Sequence, residues 1–135
     1  MIELSKEKPY EDACKILGLR PVANYKSYKL TDETRNFIKL ETVAKALNEG
    51  WKPTTIDPKE VRYYVWGWNY TDNRKPSGLL TVHSHFGLGL ANAHVGTSLE
   101  FKDRDTAKEF ARMCKPMIVK YLFGRDDHEN FKFDF

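Results

Sequence analysis

Residues 61–70 read VRYYVWGWNY, and the period of that stretch decides the fold. Five of the ten are aromatic, and Tyr64, Trp66, Trp68 and Tyr70 fall at every second position. Side chains of a β-strand alternate between its faces, so these four rings line one face at steps of about 6.8 Å. The opposite set, Val61, Tyr63, Val65, Gly67 and Asn69, is apolar only in its first half. The aromatic ladder is therefore expected to be the core face. Gly87 and Gly89 hold the other possibility open. Glycines at alternate strand positions leave bare backbone over which a cross-strand ring can lie. If Trp66 and Trp68 cover them, the ladder shares a face with His83 and His85 and is partly exposed.

Outward from this strand, the turn TDNRKPSG leads to LLTVHSHFGLGL at 79–90, a second strand with Leu80, Val82, Phe86, Leu88 and Leu90 on one side. Residues 94–101, HVGTSLEF, alternate again through Val95, Thr97, Leu99 and Phe101 and are expected to complete an antiparallel meander of about three strands. Helices flank it. In KPYEDACKILGLRP, Pro9 suits a first turn and Gly18 the position past the end, with Tyr10, Ala13, Cys14 and Leu17 on one face. Thr31 or Asp32 caps a longer helix whose apolar stripe is Phe37, Leu40, Ala44 and Leu47 and which ends at Gly50. Asp103 caps the last helix, whose stripe runs from Ala107 to Leu122 through Pro116, a predicted kink. The order α-α-β-β-β-α, with strands grouped, predicts an α+β domain with helices packed on one face of the sheet. It spans residues 1–124, and residues 125–135 form an acidic, aromatic tail.

Length and composition bound the rest. A chain of 135 residues with 41% hydrophobic and 30% charged side chains is one globular domain with a single core. The start MIELSKEKPYEDA lacks the apolar stretch of a signal peptide, and no run is long and apolar enough to span a bilayer. Cys14 and Cys114 fall at apolar helical positions and read as buried thiols. The net charge of +3 is too small to imply a polyanionic partner. The tail carries two basic and four acidic side chains, a net −2 that leaves +5 on residues 1–124.

The segments YEDACKILGL, FIKLETVAKALNEGWKP, RYYVW and LEFKDRDTAKEFA, in that order, resemble small uncharacterised proteins encoded by phages and prophages of Bacteroides-type gut bacteria. The resemblance runs in outline over residues 9–122 and is strongest in KALNEGWKP and YYVW. It implies a phage-related setting, the cytoplasm of a bacterial host and an α+β layout, and no activity. The histidine-bearing strand at 83–85 and the phenylalanine-rich tail depart from the pattern.

Three constellations carry possible chemistry. An exposed ladder of Tyr64, Trp66, Trp68 and Tyr70 would stack the bases of a single-stranded nucleic acid, with Arg62, Arg74 and Lys75 on phosphates. Large rings also fill small cores, which is the blander use of the same residues. His83, His85 and His94 would converge across a hairpin on a divalent metal, although close histidines on solvated strand faces are common. In the tail, RDDHENFKFDF, acids are mixed with Phe131, Phe133 and Phe135, which suits docking in a basic, apolar groove, and its end alternates as Phe-Lys-Phe-Asp-Phe. The same alternation suits an edge strand on this sheet or on a neighbouring subunit. Catalysis finds no support. Ser84 and Ser98 lack a nucleophile elbow, and GLGLANAHVG offers no helix start to a phosphate. The expected function is that of a non-catalytic accessory protein that binds another protein or itself, with no cofactor and no membrane. Single-stranded nucleic acid and metal binding are the alternatives.

Overall fold

A computed structural model describes residues 2–21, 30–52, 60–68, 78–86 and 97–135. Among them the order is α1 (Pro9–Leu17), α2 (Asp32–Asn48), β1 (Val61–Trp68), β2 (Leu79–Phe86), a 3-10 turn (Thr97–Leu99), α3 (Arg104–Met113), α4 (Lys115–Phe123), a second 3-10 turn (His128–Asn130) and β3 (Lys132–Phe133). The class is α+β, as the grouping of elements predicts.

The helix ends follow their sequence signals. Pro9 opens α1, and Gly18 closes it at φ 68°, where its N–H and that of Leu19 take up the last carbonyls. Thr31 caps α2 by accepting from the Thr34 N–H at 3.1 Å. At the other end the left-handed cap is Glu49, with Gly50 at φ 90° behind it. Asp103 caps α3, accepting from Thr106 N–H at 2.7 Å. The predicted kink is a full break. Pro116 has no N–H for a continuous helix, so the chain leaves helical geometry at Cys114 and restarts as α4 with the proline in its first turn. The apolar stripe continues across the break through buried Ala107, Phe110, Ala111, Cys114 and Ile118.

The sheet differs from the predicted meander in two respects. Its order is β1-β2-β3, with β1 and β2 antiparallel but β3 parallel to β2. The third strand is therefore supplied by residues 132–133 and not by residues 97–101, while the start of the expected strand, residues 94–96, lies outside the described residues, as do Gly87 and Gly89. Of that stretch, Thr97–Leu99 is a 3-10 turn, and Phe101 makes only an isolated bridge, exchanging two hydrogen bonds with Tyr63 on the far edge of β1. Leu99 and Phe101 are both buried, so the alternation does report burial. Four alternating positions are too few to distinguish a strand from a turn that buries the same two side chains.

The register settles which face of β1 looks at the helices. Tyr64 lies opposite His83, Val65 opposite Val82, Trp66 opposite Thr81 and Gly67 opposite Leu80. Residues directly opposite share a face, so the helix-covered face is Val65, Gly67, Leu80 and Val82, and the ladder lies on the other. This corrects the expectation that the face opposite the ladder is a poor core face, while on the ladder itself Tyr64 is buried and Trp66 packs against the core as expected. Gly67 is buried, and a β-carbon there would sit 2.9 Å from Leu80 Cδ2 and 3.1 Å from Phe123 Cζ. The apparent gap in that face is the space those two side chains need. Val65, Leu40, Leu99, Phe110 and Ile118 close around a residual cavity of about 10 Å³, too small to be more than a packing defect.

Candidate interaction surface

The ladder face is covered as well. Tyr64 is 6% exposed and meets His83 edge-on, ring centroids 5.8 Å apart. Trp66 is half-buried against the core. Arg62 is 2% exposed, its Nε 3.4 Å from Glu60 and its Nη1 3.7 Å from the fully buried Glu100. The Glu100 carbonyl also accepts from Asn48 Nδ2 at 3.0 Å, which ties this charge cluster to the end of α2. Buried ions need such compensation, since an isolated charge in the interior costs several kcal/mol. Arg62 thus neutralises carboxylates inside the fold and does not reach a phosphate. Tyr64 offers no open ring face to a base. Tyr70, Arg74, Lys75 and the side chain of Trp68 lie outside the described residues.

On the other face Tyr63 is half-buried under the Arg104 guanidinium, 5.2 Å from its ring, and Arg104 Nη1 donates to the Val82 carbonyl at 2.9 Å. Of the three histidines proposed as metal ligands, only the His83 side chain is described, and it packs on Tyr64. His94 and the His85 side chain lie outside the described residues. Among the described residues no three His, Cys, Asp or Glu side chains are grouped as a metal site. Both thiols are buried, and burial pushes that of Cys114 well above its ordinary range.

Residues 125–135 form the richest surface. Gly124, left-handed at φ 64°, ends α4 and releases the chain into a turn. There Arg125 Nε donates to Asp127 Oδ1 at 2.8 Å, a second guanidinium nitrogen donates to Oδ2, and Asn130 Nδ2 donates to Oδ2 at 2.9 Å. These donors, Arg125 first, hold the Asp127 carboxyl well below the usual carboxylate range, and the pairing raises Arg125 in turn. Phe131 then inserts, with 0% exposure, and stacks on Phe123 at 5.2 Å with the planes 12° apart. Arg125 covers the Phe131 ring at 4.9 Å. The Lys132 N–H donates to the Gly78 carbonyl at 2.6 Å and that of Asp134 to the Leu80 carbonyl at 3.0 Å. Of the two roles expected for these residues, the structure has the edge strand on the chain's own sheet.

Phe133 and Phe135 remain half-buried and stack on each other at 5.0 Å. Lys115 lies 5.4 Å from the Phe133 ring, and Lys108 and Arg112 lie 5.7 and 5.3 Å from that of Phe135. The three expected phenylalanines therefore divide, one buried as an anchor and two at the surface. The cations above them were not foreseen. Lys108 and Arg112 are one helical turn apart, but only the docking of β3 against α3 and α4 shows what their side chains cover. Among the described residues, a surface pocket of about 310 Å³ lies between the end of α2 and the start of α3, and another of about 410 Å³ between the first residues and α3. The acids of the first, Glu49, Asp103 and Asp105, sit at helix ends where α2 stops and α3 is capped. No described helix is long and apolar enough to cross a membrane. Compared with known proteins, the chain matches no family model, no curated protein and no solved structure.

Proposed function

We propose that this chain is a non-catalytic accessory protein, of the phage or prophage type its sequence resembles, that acts by binding another protein or itself. The observation that carries the reading is the Phe133–Phe135 pair, half-exposed beneath Lys108, Arg112 and Lys115 along the outer edge of the sheet. Aromatic rings flanked by cations beside the last strand of the described sheet suit a protein contact. Rings supply apolar area at low entropic cost, cations add directionality, and the strand edge adds main-chain hydrogen bonds. The burial of Arg62 and Tyr64 supports a protein over a nucleic-acid partner, because it withdraws one phosphate contact and one stacking ring.

The test is photo-crosslinking through p-benzoylphenylalanine in place of Phe135 in a bacterial host, followed by titration of the purified crosslinked species against wild type and a Phe133→Ala/Phe135→Ala chain. A contact that loses about tenfold or more in affinity on this truncation, as an interface anchor does, is expected. A crosslinked partner that binds wild type and the double variant equally would remove this surface from the function.

A further inference from the structure

Beyond its own Arg125–Asp127–Asn130 turn, the segment 125–135 is held by groups of the body of the chain. Phe131 sits on Phe123, its strand bonds run to the Gly78 and Leu80 carbonyls, and its outer rings lie beneath Lys108, Arg112 and Lys115. Gly78 is shaped for this occupant. It takes φ 81°, and a β-carbon there would collide with the Asn130 carbonyl oxygen and press to 3.3 Å from the Phe131 α-carbon. What β2, α3 and α4 form is a socket for an extended segment with a buried phenylalanine.

We propose that this socket also takes residues 125–135 of a second copy of the chain, so that two molecules exchange the segment reciprocally. The inference deepens the interaction reading above and rests on it. Three observations favour a second copy as the occupant. Its segment has the same sequence, so every contact in the socket is reproduced without new complementarity. β3 is the last strand in the order β1-β2-β3, so among the described elements it leaves sideways without threading past another. The linker is a single short turn. Between Gly124 and Phe131 the backbone bonds are local ones, Asn130 N–H to Asp127 and Phe131 N–H to His128. Opening that turn frees seven residues that reach about 24 Å when extended. Exchange therefore sacrifices one short turn and keeps the socket contacts.

The test uses full-length chain and a fluorescein-labelled peptide of residues 125–135. In wild type the socket is occupied by its own segment, so the peptide binds only the open fraction. Phe131→Leu weakens the resident segment and leaves the socket intact. It is expected to bind the peptide at least about tenfold more tightly than wild type does, and a peptide carrying the Phe131→Ala change is expected to bind neither. Wild type is expected to form a dimer that grows with concentration in sedimentation velocity and shrinks when unlabelled peptide is added. If Phe131→Leu does not fold by circular dichroism, Asp127→Ala, which loosens the turn and spares the core, takes its place. A folded variant that ignores the peptide overturns the socket. A dimer indifferent to peptide, or peptide binding by a chain that stays monomeric, overturns exchange, while the Phe135 crosslink still stands or falls separately as the test of protein binding.

Discussion

Asp127 and Phe131 hold the final segment by different physics, and the two respond to different perturbations. Phe131 is fully buried, so its hold is apolar and insensitive to pH. Asp127 works through charge-assisted hydrogen bonds from Arg125 and Asn130. Its pKa is lowered in the fold from an ordinary 3.8. A carboxyl lowered by folding contributes stability above its unfolded pKa, and that contribution is lost as pH falls through the folded value. At neutral pH the clamp is therefore complete, and its loss begins below 3.8. Hydrogen exchange at the Lys132 and Asp134 amides is expected to show protection that falls on acidification beneath that point. In Asp127→Asn, which cannot titrate, protection at neutral pH is expected to be lower and to change less over the same acid range. An identical acid profile in the two chains would show that some other carboxyl holds the turn. Residue identity made Asp127 legible only as one acid among four. Its partner Arg125, two positions away, becomes specific once the turn is seen.

Among the elements, α3 carries the most consequence for the surface, because its residues both floor the sheet and present Lys108 and Arg112 to Phe135. Its start depends on Asp103, whose carboxylate takes the Thr106 N–H at 2.7 Å. Replacing Asp103 with Ala is expected to cost about 1 kcal/mol of folding stability, the usual loss for an N-cap. A urea-unfolding midpoint that does not move would mean that packing alone starts the helix. Caps of this kind were readable because they are local, a side chain bonding an amide three residues on. Strands were less readable because their pairing is not. The bridge at Phe101 and the strand at 132–133 both satisfy alternation, and only the choice of neighbours separates an isolated bridge from a ladder. The face opposite the aromatic ladder was less readable for a related reason. Counting apolar side chains on each face cannot register that Gly67 is an empty place reserved for Leu80 and Phe123.

For the molecule as a whole, burial on both faces of β1 bears directly on what it binds. Tyr64 is buried, and Trp66 is half-buried against the core. Titration with oligothymidylate at low salt is therefore expected to leave tryptophan emission unchanged. Quenching that vanishes as salt rises would indicate stacking with counterion release and would favour single-stranded nucleic acid instead. By itself the sequence determined the α+β class, the helix starts with their caps and apolar stripes, a disturbance of the last helix at Pro116 and the burial of both cysteines. Each of these follows from signals a few residues apart, where backbone geometry leaves little choice. The full break at Pro116 into two helices came from the structure. Tertiary structure alone decided that the third strand comes from residues 132–133 and runs parallel, and that Arg62 spends its charge on Glu60 and Glu100 inside the fold. It also decided that Phe131 is an anchor while Phe133 and Phe135 lie beneath cations from α3 and α4. Those outcomes depend on which distant segments meet. That meeting is governed by the summed packing of the core, which no local pattern encodes.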